Sequence, residues 1–413
     1  MQENKANNTN KFLFPLIVMA SLFFLFGFIT TMNNSTIEFL KNAFGLDDVQ
    51  KQLPNTFFYG AYILSVPVGY LLTKIGYKNG VLAGLGLIAL GFFLCIPGVS
   101  MGYYGFLSTV SVFAIGVVIL QVVAAPYVNA LGSPETAASR LTLTNALNSV
   151  ATVIAPIFVS VLLVTPKLEA NTKMTNEQVL AVVKNPFLMI GVVTTIILVI
   201  MFMLKLPEIK VEEATTSTGE AVQYKSSPFK YTHLWLGSLA IFFYMGIEIG
   251  IPSFLADYVK DHLHMDLATI NTTDILKYYW GGLMVGRVLG IFVLRSFKPG
   301  TILTLCAVGG AVLLAASIGL GASNATVALW LFLGTGLFHS IMWPVIYNLA
   351  LEDLGPHAKV GSGVIATSVI GAALLMPVMG AIKSSTGVVA AVSCLFVYYI
   401  YMVFFANKGS KIR

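Results

Sequence analysis

The chain is 413 residues long, and 57% of them are apolar while 10% are charged, against roughly 45–50% and 25% in ordinary soluble proteins. Apolar blocks of about 20 residues, the length that crosses a bilayer as a helix, recur along it, which excludes a soluble enzyme and a single-span receptor. Because they do not alternate with period two, they also exclude a porin-type barrel.

The blocks number twelve: 12–32, 56–72, 81–99, 104–129, 141–164, 187–204, 234–256, 278–294, 301–320, 326–349, 361–382 and 388–405. The first is too long for the apolar core of a signal peptide and is followed by Met32-Asn33-Asn34-Ser35-Thr36 rather than a small-residue cleavage site, so it reads as a mature helix. The net charge of +6 is spread one to three cations at a time beside the blocks, with no basic run carrying interleaved aromatics. The expected partner is therefore the lipid bilayer and not nucleic acid. An even number of spans puts both termini on one side, and placing them in the cytoplasm leaves a clear majority of the Lys and Arg residues there. Cys95, Cys306 and Cys394 all fall inside blocks and read as small packing residues, with no metal site or cofactor implied.

The longest hydrophilic stretch, 205–233, lacks apolar periodicity and reads as a flexible cytoplasmic linker. It divides the chain into a six-helix half at 1–204 and a second at 234–413. The halves echo each other: Pro126-Tyr127-Val128-Asn129, a short charged loop and a span carrying Pro156 are matched by Pro344 through Tyr347-Asn348, a short charged loop and a span carrying Pro377. Internal repetition on this scale marks a secondary transporter whose binding site lies near the midplane between the halves.

Gly69–Lys78 resembles the signature loop of the major facilitator superfamily, with Thr73 where that loop usually has an acid. Phe26-Gly27-Phe28-Ile29-Thr30 with Asn33, Leu120-Gln121 through Pro126-Tyr127-Val128, Asn148-Ser149, Phe243-Tyr244 with Glu248, Tyr278-Tyr279-Trp280-Gly281-Gly282 with Gly286-Arg287, and Ser340 through Pro344 resemble the fucose:proton symporter family, nearest its bacterial glucose/galactose branch. The resemblance implies an all-α membrane protein with twelve transmembrane helices in two pseudo-symmetric halves. It further implies a monomeric, alternating-access sugar transporter of the bacterial inner membrane. Asn33-Asn34 stands where the family has Asn-Asp, and Ala125-Pro126 where it has Asn-Pro. Gln121 occupies a position that is Glu in the fucose carriers and Gln in the hexose branch. The proton-titrating carboxylate of the first span is thus missing.

A sugar offers hydroxyls that both donate and accept, together with a flat apolar face, so its site needs neutral amides and aromatic surfaces. Asn33, Asn34, Gln121, Asn145, Asn148, His339, Trp343 and Asn348 are the candidates inside spans. The competing reading is that these amides join helix to helix. His339, Trp343 and Tyr347 recur every four residues, as on one helix face. Tyr278–Trp280, near a span end, read more readily as interfacial belt residues.

Glu248 is the one acidic residue well inside a block and Arg287 the one basic residue. Either Glu248 couples transport to H⁺ or Na⁺, or it only pairs with Arg287 and fixes the seventh and eighth spans together. A small-residue stripe, Gly281-Gly282, Gly286 and Gly290, runs along the eighth span. The alternatives to coupled sugar transport are a passive sugar facilitator, a transport-deficient sugar sensor and a membrane-embedded lipid enzyme. The last finds little support: the cytoplasmic loops offer only Glu135 and Glu352-Asp353 with His357, without triad or metal-ligand spacing.

Overall fold

A computed structural model describes residues 2–36, 40, 43–46, 50, 53–162, 175–204, 224–266 and 272–412. Among the described residues every regular element is helical. Eight apolar helical stretches are long enough to cross a membrane, and two of them, Thr56–Ser100 (45 residues) and Pro299–Leu351 (53 residues), are long enough to cross twice. With Ala137–Leu162 as the fifth crossing and Thr272–Ser296 as the eighth, these account for the twelve predicted spans. The double stretches turn where helical geometry fails. Gly76 (φ 79°, ψ 174°) interrupts Ser65–Ser100 between the second and third crossings, in a conformation open to a residue without Cβ.

Apolar side chains stand exposed along many crossings, among them Phe202 (70%), Ile400 (69%) and Phe292 (63%). Such a surface would aggregate in water and is what a lipid-facing wall requires. Trp235, Trp330, Tyr278 and Tyr104 are also exposed, as expected of belt residues.

The helices outrun the hydropathy blocks. The sixth runs Asn176–Met203, starting in a polar segment because Thr175 and Gln178 form a reciprocal capping box. Hydropathy marks the part of a helix that lies in hydrocarbon and misses its polar first turns.

The chain forms two compact units, Met1–Leu131 with Leu147–Lys210, and Gly132–Ala146 with Val211–Arg413. In the first, the third and fourth crossings approach closely enough that a Cβ on Gly91 would lie 2.6 Å from the Phe113 nitrogen, while Phe92 and Phe113 stack at 4.8 Å. In the second, Tyr258 stacks on Phe332 at 4.2 Å. The tenth crossing of the second unit is broken: Ala325–His339 ends, and Met342–Leu351 begins after Ser340-Ile341.

Residues 205–223 of the linker lie outside the described residues. Its end is held in place. Ser227 caps the short 3₁₀ turn Pro228–Lys230, the Lys225 backbone N–H donates to the Tyr231 hydroxyl at 2.9 Å, and His357 Nε2 meets the Lys225 carbonyl at 2.7 Å.

Candidate functional site

Four crossings of the second unit, together with the start of the fifth, converge on two charges. The seventh, Thr232–Asp257, carries Tyr244 and Glu248 one turn apart. The eighth carries Tyr279, Arg287 and the glycine stripe. That stripe packs on the tenth crossing beside its break: a Cβ on Gly282 would lie 3.1 Å from the Leu337 nitrogen, and one on Gly286 would lie 2.5 Å from the Leu337 carbonyl oxygen and collide with the Ser340 hydroxyl. Gly281 has open space instead. The stripe therefore acts by letting two backbones approach, which brings Arg287 to the break.

Pro344 has no N–H, so the Ser340 carbonyl four residues before it loses its helical donor. Arg287 supplies one: its Nε donates to the Ser340 carbonyl at 3.2 Å. The Tyr244 hydroxyl donates to the His339 carbonyl at 3.3 Å. The same guanidinium places Nη2 3.6 Å from Glu248 Oε1, with side-chain exposures of 10% and 14%, and Nη1 donates to the Asn145 carbonyl at 3.4 Å. Tyr244 also interacts with both Glu248 and Arg287. A charge inside a bilayer is tolerated where it has such partners. Glu248 and Arg287, the acid and base inside the predicted spans, thus lie within ion-pair distance of each other.

His339 is fully buried. Its Nδ1 lies 3.0 Å from the Tyr279 hydroxyl and its Nε2 2.5 Å from the Tyr399 hydroxyl, while Tyr279 also donates to the Glu248 carbonyl at 3.0 Å. One proton arrangement satisfies all three contacts. The Glu248 carbonyl can only accept, so the Tyr279 proton points there and Nδ1–H donates to the Tyr279 oxygen. Nε2 then accepts from Tyr399. A neutral imidazole thereby ties the seventh, eighth, tenth and twelfth crossings together. Tyr279 belongs to this core, whereas Tyr278 beside it is exposed and lies edge-on to Trp330 at 4.9 Å.

The remaining amides divide between the units. In the first, Asn33 is buried, and the Tyr62 hydroxyl donates to Gln121 Oε1. Asn148 Nδ2 donates to the Phe23 carbonyl at 3.0 Å, an approach that needs Gly27, where a Cβ would collide with the Asn148 amide. The side chain of Asn34 lies outside the described residues. In the second, Asn145 Nδ2 bonds within its own helix to the Leu141 carbonyl at 2.8 Å, and Asn348 Nδ2 to the Pro344 carbonyl at 2.8 Å. Trp343 and Tyr347 stack at 5.0 Å, as their spacing predicts, but the break at Ser340-Ile341 separates His339 from them. Sequence reasoning missed Tyr62, Tyr399 and the Ser340 carbonyl.

The Major Facilitator Superfamily model matches residues 19–377. The chain belongs to that superfamily. A glucose/galactose transporter of Brucella abortus (biovar 1, strain 9-941) is 38% identical to it over 400 residues, 96% of this chain and 94% of the relative. The L-fucose-proton symporter of Escherichia coli K12 is 27% identical over 432 residues, covering 99% and 97%. Among solved structures, the superfamily transporter FucP in the outward conformation aligns with a TM-score of 0.84 at 26% identity, over 96% of this chain and 99% of that one. The twelve-crossing helical architecture of this chain is therefore that of the superfamily.

Proposed function

We propose that the chain is a secondary transporter that moves a hexose or deoxyhexose across a bacterial inner membrane by alternating access, coupled to a cation through Glu248. The similarity to a glucose/galactose transporter along 96% of the chain carries the sugar assignment. The buried Glu248–Arg287 pair carries the coupling. With Asn34 in place of an acid, the first span has no group there that titrates at physiological pH. Coupling then falls to Glu248, whose charge a proton or a sodium ion would neutralise. A proton is the better fit, because it needs no coordination space beside the guanidinium.

In this reading the sugar hydroxyls are met by Asn33, Asn34, Gln121, Asn145 and Asn148, with Trp343 on Tyr347 offering an aromatic face. Asn148 gives its N–H to Phe23 and keeps Oδ1 for a hydroxyl. His339 acts beside the site, holding Tyr279 and Tyr399. The protein works as a monomer with both termini in the cytoplasm. The test is uptake of a panel of labelled hexoses and deoxyhexoses into proteoliposomes under an imposed proton or sodium gradient. Accumulation of one of them under the proton gradient supports the reading. Uptake that only equilibrates makes the chain a passive facilitator, and binding without uptake makes it a sensor.

A further inference from the structure

Between Ser111 and Tyr127 the fourth crossing has a single polar side chain, Gln121. Its neighbours Leu120, Val122 and Val123 are fully buried, whereas Gln121 is only part-buried. An amide at that depth needs partners, and the second crossing supplies one. Pro67 has no N–H for the Ile63 carbonyl four residues before it. The helix tightens there into the 3₁₀ turn Ala61–Leu64, closed by the Ser65 N–H donating to the Tyr62 carbonyl. This turn carries Tyr62, which is buried, is stacked with Tyr59 at 6.2 Å between ring centroids, and donates its hydroxyl proton to Gln121 Oε1. Among the described residues Gln121 Nε2 has no partner. Asn148 of the same unit is held the other way round. Its Nδ2 donates to the Phe23 carbonyl at 3.0 Å, and its Oδ1 has no partner among the described residues.

We infer that Tyr62 is a positioning residue for sugar specificity: by holding Gln121 Oε1 it gives the amide nitrogen to the sugar, so that the first unit meets one hydroxyl with a donor at Gln121 and another with an acceptor at Asn148. This rests on the sugar-transport reading proposed above. The two ends of a primary amide are close to equal in shape and differ in whether they accept or donate. Without Tyr62, the Gln121 amide could therefore meet a hydroxyl with either end. With its oxygen engaged, the sugar position that faces Gln121 has to accept. The position that faces Asn148 has to donate, because there the nitrogen is the engaged end. A hydroxyl does both, so unmodified hexoses do not reveal the difference. Fluorine in its place accepts weakly and never donates, and the hydrogen of a deoxy sugar does neither. Tyr62 need not touch the sugar to set this polarity.

The experiment is equilibrium binding to the purified full chain of D-glucose, D-galactose and L-fucose, then of the monodeoxy and deoxyfluoro analogues of whichever binds most tightly. In the parent, one ring position should lose about tenfold as the deoxy sugar, the cost of a donor left unpaired, but several-fold less with fluorine. A second position should lose alike with hydrogen and with fluorine. Tyr62→Phe should raise the cost of fluorine at the first position several-fold, because the freed amide can turn its oxygen to the hydroxyl, and should leave the second position unchanged. In Gln121→Ala the first position should become indifferent to the three substituents, and adding Tyr62→Phe should change nothing further there. A tyrosine that only packs would shift all affinities together and keep the position-by-position pattern, and that outcome overturns the inference. A parent in which no position prefers fluorine to hydrogen overturns it too, without any variant having to fold. Sugar binding that Gln121→Ala leaves intact overturns it while the transport reading stands. Failure of all three sugars to bind removes the sugar reading and the inference with it.

Discussion

Arg287 donates through Nε to the carbonyl of Ser340, 3.2 Å away, at the point where Pro344 deprives that carbonyl of its helical donor. A side chain of one crossing thus completes the backbone of another. The break in the tenth crossing and the charge on the eighth belong to one arrangement, because freed backbone groups at membrane depth must be satisfied by neighbouring protein.

Pro344→Ala returns the missing N–H. Pro344 lies in the first turn of Met342–Leu351, where proline is tolerated, so the variant is expected to unfold at about the same temperature as the parent. Coupled uptake should fall, because Arg287 then competes with the helix for Ser340. A thermal-shift assay beside an uptake assay reads both effects.

The glycine stripe gives a paired comparison. Gly286→Ala puts a methyl against the Ser340 hydroxyl and the Leu337 carbonyl and should destabilise by about 1–3 kcal/mol, the usual range for overpacking. Gly281→Ala meets open space and should leave stability within about 0.5 kcal/mol of the parent. Midpoints of detergent unfolding distinguish the two.

Removing the imidazole in His339→Ala takes from the Tyr399 hydroxyl its acceptor in the buried core, while Tyr279 keeps its donation to the Glu248 carbonyl. Each stranded buried polar group costs about 1–3 kcal/mol, so a marked drop in melting temperature is expected. Because both act on one hydrogen bond, the losses for His339→Ala and Tyr399→Phe should be less than additive in a double-mutant cycle.

Asn148→Ala should abolish sugar binding, measured by equilibrium binding of labelled sugar. It should lower stability by only about 1 kcal/mol, the worth of the bond to Phe23. Asn34→Asp returns a titratable group to the first span and should steepen the pH dependence of uptake, followed across a pH series in proteoliposomes.

Much of this arrangement is legible in the sequence. Twelve crossings follow from block length, and Glu248 and Arg287 declare themselves as the acid and base that hydropathy does not explain. Pro344 announces that a carbonyl will be left open, but nothing local says that the donor comes from Arg287, because that depends on the approach that Gly282 and Gly286 permit. Tyr62 and Tyr399 were invisible for a related reason. Each is one of 17 tyrosines in an aromatic-rich chain, and only packing decides which hydroxyl meets Gln121 or His339. His339, read from its spacing as a companion of Trp343, is drawn instead to Tyr279 and Tyr399 because the helix breaks directly after it.

The account turns on whether Glu248 carries the coupling charge, and the most direct measurement is sugar accumulation by Glu248→Gln proteoliposomes under an imposed proton gradient, beside sugar exchange without a gradient. Accumulation should vanish while exchange persists, since glutamine preserves the side-chain shape but takes up no proton. Accumulation at the parental level under the same gradient would contradict the account and leave Glu248 as a structural partner of Arg287.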